Sequence, residues 1–353
     1  MDSYERMSDN MFRRVLVPLD GSDRAERAIP TAARIARSTG GSVVLLRVVS
    51  TSTEYWPYIA PQPTLAQTII DADLEDASKY LASVTALPEL NGVSTETMTL
   101  YGPIAATILS VAYSHDVDVI VMCSHGYTGV TRWIMGSVAE KIARHSAVPV
   151  LILREGGPIP VGSHMDGRPF RVLVPLDGST RAKAAIEPAA TLANTLAAPD
   201  QGMLHLMRVV KPRIGEPALM PEQQEGEQEH GVQKAKKYLS STVEHIREGL
   251  TAHAVKDLDL TITWSVAVDT DVASAIIRVA ENGEDAEGAG VFGGCDVIAV
   301  ATHGYGGLQR WAMGSVTERV LNAAKLPMLI VRPSDMVDKS HVQEGKSAVA
   351  IPQ

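Results

Sequence analysis

Short unbroken apolar runs, separated by stretches with helical spacing, organise this chain. Val15–Leu19, Val43–Val49, Val119–Met122 and Val148–Leu153 are the first such runs. Runs of this length suit strands buried on both faces, as in a parallel sheet. Between them the apolar positions recur every three or four residues. Ala25, Ala28, Ile29, Ala32, Ala33 and Ala36 make one stripe; Ile104, Ile108, Val111 and Ala112 a second; Val138, Ile142 and Ala143 a third. Strands alternating with helices predict right-handed crossovers and a doubly wound α/β fold. Pro30 and Pro188 fall inside the first stripe of each half. A proline there removes a helical hydrogen bond, so a kink or a late helix start is expected.

The pattern occurs twice. Val172–Leu176, Leu204–Val210, Val297–Val300 and Met328–Val331 repeat the four runs. Arg14–Ser22 and Arg171–Ser179 are the same string of residues, and Arg132-Trp133-x-Met135-Gly136-Ser137-Val138-x-Glu140 returns as Arg310-Trp311-x-Met313-Gly314-Ser315-Val316-x-Glu318. The 353 residues therefore divide into one unit at 12–154 and a second at 170–332. A Gly- and Pro-rich linker at 155–169 joins them, and a polar tail at 333–353 and the patternless Met1–Asn10 are expected to be mobile. Copy two carries extra material. Pro221–Gly231 is acidic and Gln-rich, and Glu281–Gly294 adds glycines and acids; both read as solvated loops.

Composition narrows the function. A formal net charge of −9 argues against a nucleic-acid partner. No apolar run approaches the roughly 18 residues of a membrane helix, and the polar start does not read as a signal peptide. Cys123 and Cys295 fit no metal spacing and no disulfide framework, so a reducing cytoplasm is the expected setting.

The candidate chemistry sits where a parallel sheet holds ligands, beyond the carboxyl ends of its strands. Asp20 and Asp177 occupy such ends. Each can accept hydrogen bonds from a ribose or base, or serve only a turn, with Ser22 or Ser179 capping the next helix. The second element is His125-Gly126, nine residues, then Gly136-Ser137, repeated as His303-Gly304 and Gly314-Ser315. Glycine lets backbone approach a phosphate, and a helix start offers free N–H groups to an anion. Ser137-x-x-Glu140 and Ser315-x-x-Glu318 read as capping boxes, which need no ligand. His125 and His303 have no neighbouring nucleophile or metal partner in sequence. Arg132 and Arg310 could reach a phosphate tail or form surface salt bridges, and Trp133 and Trp311 are expected to pack the loop.

These residues resemble the universal stress proteins, in tandem form. The resemblance rests on Val-Pro-Leu-Asp-Gly-Ser at the first strand and on the His-Gly…Gly-Ser-Val loop, each present twice. Nucleotide-binding members share a loop of the form G-x2-G-x9-G-[S/T]. Cys123-x2-Gly126-x9-Gly136-Ser137 and Ala301-x2-Gly304-x9-Gly314-Ser315 match it except at the first position, where a small residue replaces glycine.

The resemblance implies a five-stranded parallel sheet between helices in each copy. It implies ATP or another adenine nucleotide as ligand, with or without Mg2+, and no other metal site. Asp20 and Asp177, two residues after Pro18 and Pro175, would meet the ribose or adenine, and the backbone of Val48 and Val209 would face the adenine. Gly126, Gly136, Ser137 and Val138 would hold the phosphates in copy one, and Gly304, Gly314, Ser315 and Val316 in copy two. Cys123, His125, Ala301 and His303 would line the two loops.

Copy two has Thr270-Asp271 in place of Gly102-Pro103 and is the copy expected to have altered binding. The resemblance further implies pairing of the copies through Val148–Leu153 and Met328–Val331 as a built-in pseudo-dimer, with a homodimer as a further possibility. Three functions remain open at this point: an ATP-responsive stress or signalling module without efficient chemistry, an interaction scaffold that binds no nucleotide, and a slow ATPase or self-phosphorylating protein.

Overall fold

The computed structural model describes residues 12–50, 63–124, 135–154, 156–158, 160, 167–212, 221–252, 255–256, 258–287, 290–302 and 313–333. Copy one runs β1 (Arg14–Leu19), α1 (Asp23–Glu26), α2 (Ile29–Thr39), β2 (Ser42–Val49), α3 (Pro63–Thr85), β3 (Ser94–Tyr101), α4 (Ile104–Ser114), β4 (Val119–Cys123), α5 (Ser137–His145) and β5 (Val150–Leu153). Copy two runs β6 (Arg171–Pro175), a 3-10 turn at Ala182–Ala185, α6 (Ile186–Ala197), β7 (Gly202–Val210), α7 (Pro221–Arg247), β8 (Leu260–Val268), α8 (Val272–Asn282), β9 (Glu284–Ala286), β10 (Gly290–Phe292), β11 (Val297–Ala301), α9 (Ser315–Ala323) and β12 (Met328–Val331).

Ten strands form one sheet in the order β3-β2-β1-β4-β5-β12-β11-β6-β7-β8. Within each copy all neighbours are parallel. The copies meet where β5 pairs antiparallel with β12, Leu151 opposite Leu329. Buried strands alternate between the faces. Val15, Val17, Val43, Leu45, Val172 and Val174 build a core on one face. Leu16, Val44, Leu46, Ile120, Leu173 and Ile298 build a core on the other. Each core spans both copies.

Pro30 falls at the first turn of α2, behind the short α1. Its missing N–H is there one of the helix's orphan donors, which is why the helix starts late rather than breaks.

Two readings change, and two strands are added. The edge strands β3 and β8 lack a continuous apolar run: β3 is Ser-Thr-Glu-Thr-Met-Thr-Leu-Tyr and fully or half exposed along its length, and β8 places the buried Thr263 and Ser265 between apolar residues. The Gln- and Glu-rich segment at Pro221–Gly231 is not a loop but the start of the 27-residue α7; Glu, Gln and Lys are good helix formers, and the Pro stands where a helix tolerates one. The insertion at Glu281–Gly294 is also structured: after the last residues of α8 it forms the antiparallel pair β9 and β10. Gly283, at φ +79°, lets the chain fold back there; a Cβ would stand 1.8 Å from the Phe292 oxygen. The N-terminal segment Met1–Asn10, the tail from 334 and most of the linker lie outside the described residues.

Candidate functional site

In each copy the chain adds strands in one direction and then returns to the other side of its first strand. The reversal falls between β1 and β4, and again between β6 and β11. Because these neighbours are parallel, their C-terminal ends lie side by side and open a cleft between the loops that follow them.

One wall is the turn after β1. Gly21 takes φ +84° and Gly178 takes φ +94°, the left-handed region that favours glycine. Asp20 Oδ1 accepts hydrogen bonds from the Ser22 N–H at 3.0 Å and from the Ser22 hydroxyl at 2.6 Å. Ser22 Oγ in turn accepts the Ala25 N–H at 3.2 Å and caps α1. Copy two repeats the arrangement: Asp177 Oδ1 accepts from Ser179 N at 2.9 Å and Oγ at 2.6 Å, and Ser179 Oγ accepts the Ala182 N–H at 3.1 Å. The Asp-Gly-Ser string is thus a turn that holds its own aspartate. Asp20 is half-buried and Asp177 exposed.

Sequence reading gave the arginine of the second strand no role of its own. Arg47 Nη1 donates to the Leu19 oxygen at 3.3 Å, and its guanidinium lies 3.5 Å from where a Gly21 Cβ would stand. Arg208 lies 3.1 Å from the same point on Gly178, and its guanidinium also stacks 4.8 Å from the Tyr238 ring. The signal was present, since Arg47-Val48-Val49 recurs as Arg208-Val209-Val210. Val48 is buried beside Leu100, and Val209 half-buried beside Ala267. Pro18 and Pro175 are half-buried on the two central strands.

Facing it are the described ends of the segments that follow β4 and β11. Cys123 and Ala301 end their strands buried. The next residues close the base of each loop: the Gly136 N–H donates to the Ser124 oxygen at 2.8 Å, and the Gly314 N–H donates to the Thr302 oxygen at 2.8 Å. His125, Gly126, His303 and Gly304, with Arg132, Trp133, Arg310 and Trp311, lie outside the described residues.

The helix that follows is not capped as expected. The N-caps of α5 and α9 are Gly136 and Gly314, and neither helix start has a side-chain cap. Ser137 and Ser315 stand one position inside, with Val138 and Val316 after them, so no capping box forms. Glu140 bonds the Arg144 Nε at 3.0 Å, and Glu318 receives the same guanidinium at 3.2 Å across the copies. A helix start without a side-chain acceptor leaves its first N–H groups for water or a bound anion.

The copies differ on the far side of the cleft. Gly102, at φ +156°, precedes α4, which Pro103 starts without a side-chain cap. In copy two Asp271 caps α8, accepting from Ala273 N at 3.1 Å, and receives both Arg319 amines at 2.9 and 2.6 Å. The hydrogen bonds from Arg319 hold the Asp271 carboxyl well below the usual carboxylate range. Among the described residues no group of three or more His, Cys, Asp or Glu is placed to hold a metal, no helix is long and apolar enough to cross a membrane, and neither cysteine forms a disulfide.

Comparison with known proteins gives one consistent result. The family model of the Universal stress protein family matches residues 11–154 and 170–332. Universal stress protein MJ0531 of Methanocaldococcus jannaschii is 30% identical over 156 residues, 44% of this chain and 89% of the relative. Universal stress protein YxiE of Bacillus subtilis is 30% identical over 149 residues, 41% of this chain and 100% of the relative. Among solved structures, a functionally unknown protein of Pseudomonas aeruginosa superposes with a TM-score of 0.58 at 16% identity, covering 97% of this chain and 99% of the other. A universal stress protein of Archaeoglobus fulgidus gives 0.55 at 18% identity, covering 91% and 98%. These two likenesses extend over both copies and concern the fold.

Proposed function

We propose, for a chain that belongs to the universal stress protein family, that it is an adenine-nucleotide-binding stress or signalling module without efficient catalysis. Each copy offers one cleft. ATP, with or without Mg2+, lies with its ribose or adenine toward Asp20 or Asp177 and the backbone of Val48 or Val209. Its phosphates meet the loop bounded by Cys123 or Ala301 and the helix starts at Gly136-Ser137-Val138 or Gly314-Ser315-Val316. Pro18 and Pro175 shape the strand ends. The loop residues His125, Gly126, His303 and Gly304 complete the cradle. The two buried cysteines, outside any disulfide, agree with a cytoplasmic setting, and the β5–β12 pairing supports reading the chain as a pseudo-dimer.

The observation that carries this reading is the bare helix start. Gly136 and Gly314, closed onto Ser124 and Thr302 but without side-chain caps, stand in both copies at the same switch point as an Asp-Gly-Ser turn. A thermal melt with and without millimolar Mg-ATP tests the reading, because a ligand of the native state stabilises it by RT ln(1 + [L]/Kd). A shift that is lost in the double variant Asp20→Ala/Asp177→Ala supports it. No shift in the unaltered protein, together with no nucleotide co-purified from cells, favours a nucleotide-free interaction scaffold instead.

A further inference from the structure

Copy two contains a buried polar chain that copy one lacks, and it ends on the inserted hairpin. His205 of β7 is fully buried. Its Nδ1 lies 2.8 Å from Thr263 Oγ1 and its Nε2 lies 2.8 Å from Ser265 Oγ, both on β8. The Ser265 hydroxyl donates a short hydrogen bond to Glu284 Oε1 on β9. Since Ser265 spends its proton on Glu284, it accepts from Nε2–H, and Nδ1 is left to accept from Thr263. The chain therefore fits neutral imidazole in one tautomer.

The hairpin closes over this chain. Phe292 of β10 lies 4.3 Å from the His205 ring, centroid to centroid, and the Arg171 guanidinium of β6 sits 4.6 Å above Phe292. Arg171 also donates to the Gly293 and Gly294 oxygens at 2.6 and 2.9 Å. The Glu287 N–H reaches the Trp264 oxygen at 3.0 Å, and Glu287 pairs with Lys236 of α7. Aligning Arg47 with Arg208 sets His205 opposite Val44 of copy one, whose register partner is Glu96 rather than Thr263. Among the described residues, copy two has both the polar chain and the hairpin, and copy one has neither.

We propose that His205 is an acid-operated latch, which holds the β9–β10 hairpin on the copy-two sheet while neutral and releases it when protonated. In the latched state a proton on Nδ1 would face a hydroxyl that now donates to it, and the charge would sit buried near Arg171. Burial first, and Arg171 second, push the His205 imidazole down to about 3 from 6.5. The opened hairpin exposes His205 to water and restores its ordinary affinity for a proton. The sign is then fixed: the latched state binds fewer protons, so latching is full above about pH 6.5 and weakens as pH falls toward 3.

Other ionisable groups face the latch. Glu284 is itself pushed up by burial, against the hydrogen bond from Ser265; it favours the latched state on acidification and partly opposes His205. Arg278 and Asp285 act on Glu284. Asp296, Arg168 and Cys295 surround Arg171, with the Cys295 thiol pushed up to about 12 by burial.

Hydrogen exchange read by mass spectrometry on the full chain, corrected for intrinsic rates, tests this from pH 7 to pH 4.5. The opening equilibrium of the segment around Glu284–Phe292 should rise by up to about 50-fold between pH 6.5 and 4.5, approaching tenfold per pH unit at the acid end, while β6 and β11 stay protected. Glu284→Gln should steepen the rise. His205→Gln, which keeps two hydrogen-bonding groups but does not titrate, and His205→Val, which installs the copy-one residue, should both flatten it. A flat response in the unaltered protein, an unchanged response in His205→Gln, or loss of protection in β6 and β11 together with the hairpin overturns the proposal.

Discussion

The guanidinium of Arg154, at the end of copy one's last strand, donates to the main-chain oxygen of Leu321 in the last turn of copy two's final helix. Its counterpart Arg332 donates to the His145 oxygen at the end of α5, 3.4 Å away. Arg34 does the same for the C-terminal carbonyls of α6, at Leu196 and Ala198. Helix C-termini carry partial negative charge and unsatisfied carbonyls. Each of these arginines supplies a cation to a helix end of the other copy, so the copies are joined by charge as well as by the β5–β12 ladder.

Arg154 is the one to remove. It is buried, burial lowers its guanidinium to about 10, and it reaches Met328 Sδ at 3.5 Å as well as Leu321. Arg154→Ala is expected to destabilise the chain by about 2–4 kcal/mol, from a lost charged hydrogen bond and lost packing. Arg332→Ala, on the exposed side, should cost under about 1 kcal/mol. Urea titration of both variants checks the ordering.

Gly136→Asp separates folding from binding. Gly136 has φ −62° and ψ 149°, which any residue adopts, and an aspartate at an N-cap is favoured over glycine by a few tenths of a kcal/mol or more. The ligand-free melting temperature should rise slightly, and the Mg-ATP shift of that copy should vanish, because the side chain takes the N–H groups and repels phosphate. Calorimetric melts with and without nucleotide read both signs.

Asp271→Ala should lower stability at neutral pH, by removing the cap of α8 and the pair with Arg319. The folded-state carboxyl is shifted down from 3.8. Its contribution is therefore present above that value and is lost as pH falls below it. The gap in melting temperature between the variant and the parent should be constant from pH 5 to 8 and should close below about pH 4.

Gly283→Ala should open the copy-two insertion. A Cβ would meet the Phe292 oxygen in a left-handed backbone conformation, costing more than about 1 kcal/mol. Proteolysis should cut first between 283 and 294, with the rest of copy two intact.

Legibility in the sequence followed burial. The central strands were plain because β4 and β11 are buried along their whole length, and such strands read as pure apolar runs. The edge strands were hidden because polar residues interrupt them: those of β3 are exposed or half-exposed, and β8 carries the buried Thr263 and Ser265 beside His205. The Asp-Gly-Ser turn was legible in type, since the two sequence readings of Asp20, turn residue and ligand group, share one geometry. The capping box was misread by one position: the helix begins at Ser137, a boundary that φ and ψ decide and composition does not. Arg47 was given no role because a lone arginine in an apolar run says nothing of where its guanidinium ends, which here is over Gly21.

The antiparallel β5–β12 seam has an evolutionary consequence. Two separate chains meeting at such a seam must carry every substitution twice, once on each side of the axis. Fused in one polypeptide, the halves can differ singly, and they do: His205 stands on one flank where Val44 stands on the other. The seam allows one half to carry a polar chain that its twin does not.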